Sequence, residues 1–171
     1  MDVTIRRAER ADFPALFRLI VALADFEELA PPDDAAQARL LRDGWPEDGA
    51  PPRFEVRLAE VTVGGAAQAV GYAITFETYS SFLARPTLYL EDLFILPSHR
   101  RMKIGQKMLE TLVEEATRRG CGRVEWVVLD WNTEAQRFYQ RFGAKHLTEW
   151  HTYRVVLPTE TVAGRRRNIV P

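Results

Sequence analysis

Apolar positions along the chain change spacing several times, and each change marks an element. A short alternation around residues 3–6 predicts a first strand. Phe13, Leu16, Phe17, Ile20 and Leu23 or Ala24 then recur every three or four residues, while Arg18 and Asp25 fall elsewhere. That spacing predicts a helix, with Asp12 placed to cap it and Pro14 as its second residue. Pro31-Pro32 breaks the chain, Asp33 can cap a second helix running through Leu40 and Leu41 to Gly44, and a proline-rich loop spans 46–52. Runs at 54–61 and 67–78 flank Gly64-Gly65 and read as an antiparallel hairpin. A third run, 88–96, is stopped by Pro97. Ile104, Met108, Leu109, Leu112, Val113 and Ala116 draw one helical stripe ending at Gly120. A strand at 123–129, a helix at 132–142 closed by Gly143, and a last strand at 152–157 complete the reading. The expected fold is α/β, one mixed sheet with helices packed on it.

A chain of 171 residues fits one domain able to bury a core without disulfides or metal. The expected boundaries are a domain at 1–157 and a basic tail at 158–171. The net charge of −1 provides no global field to draw nucleic acid or anionic lipid. The run Arg165-Arg166-Arg167 concentrates positive charge in the tail and leaves the body mildly acidic. No apolar run approaches the roughly 20 residues that span a bilayer. The N-terminus lacks the apolar stretch of a secretory signal, and the single cysteine, Cys121, cannot form an internal disulfide, so a cytoplasmic setting is expected. Three scattered histidines give no ligand spacing, so no metal is expected.

The candidate chemistry gathers in three segments. Leu88-Tyr89-Leu90-Glu91-Asp92-Leu93-Phe94-Ile95 places two carboxylates inside an otherwise apolar strand. Adjacent strand residues point to opposite faces, so the two can work together only if the strand is distorted there. Glu91 reads as a carboxylate tuned for proton transfer; Asp92 reads equally as a partner of backbone or arginine donors. The loop Ser98-His99-Arg100-Arg101-Met102-Lys103-Ile104-Gly105 leads into a long helix. Unpaired N–H groups at that helix start, with Arg100, Arg101 and Lys103 beside them, suit a diphosphate. A solvated helix cap would look the same. His99 reads as a surface histidine. Asp130-Trp131-Asn132-Thr133 opens the last helix, with Asn132 as its cap and Ala135, Phe138 and Tyr139 on its apolar side. By itself Tyr139 reads as core, and Cys121 as a small core residue.

Together these residues resemble the GNAT superfamily of N-acetyltransferases, and most closely its spermidine/spermine and thialysine acetyltransferase branch. The resemblance runs from the first strand to about Val156. It is most specific in 89–95, in Ile104-Gly105, and in Leu129-Asp130-Trp131-Asn132 followed by Ala135, Tyr139 and Gly143-Ala144. It implies a mostly antiparallel sheet with splayed central strands, acetyl-CoA as the acetyl donor and direct transfer in a ternary complex. The acceptor implied is a primary amine of a small molecule, such as a diamine, a polyamine or a lysine-like amino acid.

The same resemblance implies roles residue by residue. The backbone of Leu93, Phe94 and Ile95 would pair with the pantetheine arm. Arg100, Arg101, Met102, Lys103, Ile104, Gly105 and Gln106 would hold the pyrophosphate. Asn132 and Ala135 would orient the cofactor from the last helix. Tyr139 would protonate the departing thiolate, and Glu91 would take a proton from the acceptor ammonium through water. Phe26, Glu27, Glu91 and Asp92 would line the amine pocket. A homodimer is implied by analogy. Arg101 and Lys103 stand where the family's turn carries glycine, so any position there that needs positive φ would be strained. The loop Tyr79-Ser80-Ser81-Phe82 also lacks the acid of the polyamine enzymes, which favours a shorter diamine or a lysine-like amino acid. Acetylation of a protein lysine or N-terminus, and a non-catalytic acetyl-CoA sensor, are the competing readings.

Overall fold

The computed structural model describes residues 2–157, and the Arg165–Arg167 run lies outside them. The chain divides into two compact units, Met1–Val127 and Val128–Pro171.

In the first unit the order is β1 (Val3–Arg7), α1 (Phe13–Phe26), α2 (Asp34–Gly44), β2 (Glu55–Val63), β3 (Ala66–Ser80), β4 (Arg85–Ile95), α3 (Ile104–Arg118) and β5 (Arg123–Glu125). The strands form one five-stranded sheet in sequence order. β1 to β4 are antiparallel neighbours, and β5 joins β4 in parallel after the α3 crossover, as a parallel pair requires. The β2–β3 hairpin turns at Gly64 and Gly65, with φ of 59° and 84°, the left-handed pair that matches the twist of the flanking strands. β3 and β4 are longer than the sequence pattern suggests: their pairing continues to Ser80↔Arg85 and tolerates Pro86 near the strand end. β5 is shorter than the expected strand at 123–129 and stops at Glu125.

α1 covers one face of the sheet. Leu16 and Leu19 of α1 are 1% exposed and pack with Val56, Leu58, Tyr72, Ile74 and Phe94. Each fully buried leucine of this kind contributes about 1.5–3 kcal/mol. Arg57 alternates with Val56 and Leu58, so it points to the other face, where its Nε donates to Glu115 of α3 at 3.0 Å. Arg119 also pairs with Glu115, and with Glu55 at 2.5 Å and Glu77 at 3.2 Å. Burial pushes the Glu115 carboxyl up, but the hydrogen bond from Arg57 and the charges of Arg57 and Arg119 outweigh it and hold the group below its usual value. The stripe on α3 therefore differs from the one expected: Val113 is 40% exposed, and Glu115, paired with arginines, takes a buried position.

Asp12 does not cap α1. Its carboxylate accepts from the Glu9 N–H at 2.8 Å and from both terminal nitrogens of Arg6, whose Nε and Nη2 also donate to Glu60. The bidentate arginine is the stronger partner and draws the acid away from the helix start. Asp33, by contrast, caps α2 through the Ala36 N–H at 2.8 Å.

In the second unit α4 spans Thr133–Phe142. The expected strand at 152–157 is absent: these residues carry no regular structure and are exposed. A strand requires a neighbour for its backbone groups, and 152–157 has no ladder partner among the described residues. No described helix is long and apolar enough to cross a membrane.

Gly71 on β3 lies against the end of β4. A Cβ there would sit 2.8 Å from the Phe94 carbonyl oxygen and 2.3 Å from Ile95 Cδ1. We therefore expect Gly71→Ala to lower unfolding free energy by about 1–3 kcal/mol in urea titrations, the usual cost of overpacking.

Candidate active site

The site begins with a counting mismatch between β3 and β4. Thr75 pairs with Leu90 and Ile74 with Asp92, so Glu91 is one residue more than β3 can match. In a regular strand Glu91 and Asp92 would face apart. The bulge removes that alternation, and both carboxylates line one cavity of about 470 Å³. The remaining walls come from Ile20 of α1, Pro32 and Leu40 at α2, Arg53 and Phe54 before β2, and Ile74 and Phe76 of β3. An apolar pocket with a few convergent charges is the usual form of a small-molecule site.

The two acids differ in setting. Glu91 is exposed, whereas Asp92 is half-buried and accepts a hydrogen bond from the Tyr72 hydroxyl at 3.2 Å. Burial, then the Glu91 charge, push the Asp92 carboxyl up to about 6; the Tyr72 bond opposes this and Glu27 adds to it. Burial likewise drives the Tyr72 phenol far above its ordinary value, so it remains a donor. Glu27, just past α1, is also raised by burial. Phe26 and Glu27 lie outside the cavity lining; the Phe26 ring sits 6.4 Å from that of Phe94.

β4 changes neighbours at the same place. Its parallel pairing with β5 covers only Thr87↔Arg123 to Tyr89↔Glu125. Residues 90–95, including Leu93, Phe94 and Ile95, continue without a strand on that side among the described residues. An edge of this kind can accept an extended ligand as an added strand.

After β4 a 3-10 turn, Pro97–His99, precedes Arg100. The Arg100 guanidinium lies 4.6 Å from the Phe26 ring centre and 5.9 Å from that of Phe94, and its Nε donates to the Ile95 carbonyl at 3.2 Å. His99 Nδ1 is 2.9 Å from Ser98 Oγ. Arg101 and Lys103 have φ of 63° and 60°, the left-handed region that favours glycine. Lys103 is the N-cap of α3 and makes no side-chain cap bond. By helix geometry the N–H groups of Ile104, Gly105 and Gln106 have no carbonyl one turn back, and they face the exposed Arg101-Met102-Lys103 segment. The Gln106 side chain turns to Glu110 at 2.8 Å, and Ile104 is buried in the core. This turn can hold an anion through backbone donors and two exposed cations.

In the second unit Asn132 caps α4, its Oδ1 accepting the Ala135 N–H at 3.2 Å. Gln136 donates to the carbonyls of Leu129 and Asp130 at 3.2 and 2.8 Å and fixes the incoming loop. The Tyr139 ring lies 5.3 Å from that of Phe138, and burial pushes its phenol up to about 12. Gly143, with φ of 99°, closes the helix.

Sequence reasoning did not anticipate Tyr72, Arg53, Phe54 or Phe76 in this setting. They come from separate elements, and each reads in sequence as an ordinary strand or loop residue; only the assembled sheet brings them to the acids. Among the described residues no group of three or more His, Cys, Asp or Glu side chains is arranged to hold a metal ion.

A model of the acetyltransferase (GNAT) family matches residues 19–144. The chain is similar to the thialysine N-epsilon-acetyltransferase of Bos taurus, 35% identical over 159 residues that cover 89% of this chain and 91% of the relative. It is also similar to the L-ornithine N5-acetyltransferase of Arabidopsis thaliana, 40% identical over 85 residues, 50% of this chain and 37% of that protein. Among solved structures, an integron cassette protein from V. cholerae shares the fold with a TM-score of 0.74 at 22% identity, covering 91% of this chain and 93% of that one.

Two measurements test the local physics. Between the unfolded carboxyl value near 4 and the folded value of about 6, the native state binds more protons at Asp92 than the unfolded chain does, so rising pH costs stability. Asp92→Asn removes that cost. Its unfolding free energy should gain on wild type by on the order of 2 kcal/mol between pH 4 and pH 7. Lys103→Gly relieves a left-handed residue and should raise unfolding free energy by about 1 kcal/mol in the same urea assay.

Proposed function

Because the chain belongs to the acetyltransferase (GNAT) family and is an acetyltransferase, we propose that it moves an acetyl group from acetyl-CoA to the primary amine of a small molecule. The acceptor class is a diamine, a polyamine or a lysine-like amino acid, and transfer is direct, within a ternary complex. The observation that carries this reading is the pair of carboxylates on one cavity wall, set at the point where β4 parts from β5. The names of the cattle and Arabidopsis relatives support an acceptor with a terminal amine.

The residues fit the donor. The β4 edge at Leu93, Phe94 and Ile95 suits an amide-bearing arm laid alongside it, and the turn at 100–106 offers N–H groups and cations to a diphosphate. Acetyl-CoA supplies the acetyl group already activated as a thioester. An amine binds as ammonium and attacks only when neutral, so a proton must leave first. Glu91, exposed on the cavity wall, takes it through water, while Asp92 and its Tyr72 donor hold the charged form of the acceptor. As the new amide bond forms the C–S bond breaks, and Tyr139 gives its phenolic proton to the sulfur. A phenol pushed up to about 12 remains protonated at neutral pH, so the proton is in place when the thiolate forms. No cysteine nucleophile is used: Cys121 follows the end of α3 and its thiol is raised by burial. A homodimer is the proposed assembly.

The test is CoA-thiol release from acetyl-CoA across diamines, polyamines, thialysine, lysine and short peptides. Small amines should release thiol, and Tyr139→Phe should lower kcat by about 10²-fold or more. Tight acetyl-CoA binding with no release on any amine would overturn the reading.

A further inference from the structure

The cavity carries charge at two places. Among the residues that line it, Glu91 and Asp92 lie on β4 and Arg53 in the segment entering β2, and the others, such as Ile20, Leu40 and Ile74, are apolar. An acceptor with amines alone would engage the acids and offer nothing to the one cation among these lining residues. We infer that Arg53 reads a carboxylate on the acceptor, making it the specificity-determining residue that selects ω-amino acids over diamines. This inference rests on the proposed transfer to amines.

Arg53 is suited to that task by how it is held. Its backbone N–H donates to the Asp43 carbonyl at 2.9 Å. The ring of the next residue, Phe54, lies so close to Gly44 that a Cβ there would come within 3.0 Å of it. The guanidinium thus extends from a fixed point while its side chain remains 79% exposed. The carboxylate of Asp43 is 3.9 Å away and is engaged more closely by Arg42, at 2.8 Å. The fork of donors therefore keeps its capacity for a ligand. A planar guanidinium binds a carboxylate through two parallel hydrogen bonds, which a lysine cannot reproduce. The same charge repels the distal ammonium of a diamine, so attraction and rejection come from one side chain.

The experiment compares kcat/KM for matched acceptors that differ only in the carboxylate: lysine against cadaverine, lysine against lysinamide, and thialysine against its decarboxylated analogue. Wild type should prefer the carboxylated member of each pair. Arg53→Gln should reduce that preference ratio about 10- to 100-fold, chiefly through KM, as expected for losing hydrogen bonds to a charged group. Arg53→Lys should retain part of the ratio, and Arg53→Glu should turn it in favour of the diamine. Thermal melts that coincide with wild type exclude a folding effect. A ratio unmoved by Arg53→Gln, or a rise in acetyl-CoA KM that matches the rise for the acceptor, would overturn the inference and leave amine transfer standing. Failure of wild type to acetylate any member of the panel would overturn both.

Discussion

β4 contains one residue more than β3 can pair, and the candidate site depends on that excess. Without the bulge Glu91 and Asp92 would project to opposite faces of the sheet, one toward α1 and one toward α3. With it, a single wall carries two acids in unlike surroundings, one exposed and one half-buried beneath a tyrosine hydroxyl. The distortion sits two residues past the last β4–β5 pair, so the strand changes its twist where it is no longer held on both sides. The cavity and the open edge thus lie on neighbouring residues of one strand.

The opposite face shows a different use of charge. Arg57, Glu115 and Arg119 bind α3 to the sheet from within, with Glu55 and Glu77 completing the set. Removing one member of a pair this deeply buried leaves an uncompensated charge, which is why such networks hold an element in one position even where they add little net stability. α3 begins at the basic turn, so the direction in which its first N–H groups point is set by anchors near its far end. The sheet thus separates a fixed ionic face from an open one where charges await a partner.

Much of this was legible in the sequence. The helical stripe of α1, the Gly64-Gly65 hairpin and the Asp33 and Asn132 caps could all be read from spacing and residue type, and a distortion at Glu91-Asp92 was legible only as the condition for the two acids to work together. What could not be read was set by competition at a distance. Asp12 looked like a helix cap because an acid before Phe13 usually is one; Arg6, remote from the helix, outbids the backbone for it. Glu115 interrupts an apolar stripe that Val113 was expected to extend, because its partner Arg57 belongs to another element. The alternation at 152–157 suited a strand, yet alternation specifies only a face, not the presence of a neighbour to pair with. Cavity walls drawn from five parts of the chain leave no local pattern at all.

The turn before α3 has a consequence for how this chain can change. A glycine with positive φ resists replacement because any side chain brings a backbone penalty. At Arg101 and Lys103 that penalty of about 1–2 kcal/mol per residue has already been absorbed by the rest of the fold. Exchanging one unbranched side chain for another at either position adds little new conformational cost. The two sites are therefore open to drift in charge and size, and the turn can be retuned by single substitutions that a glycine-built version would not survive as readily.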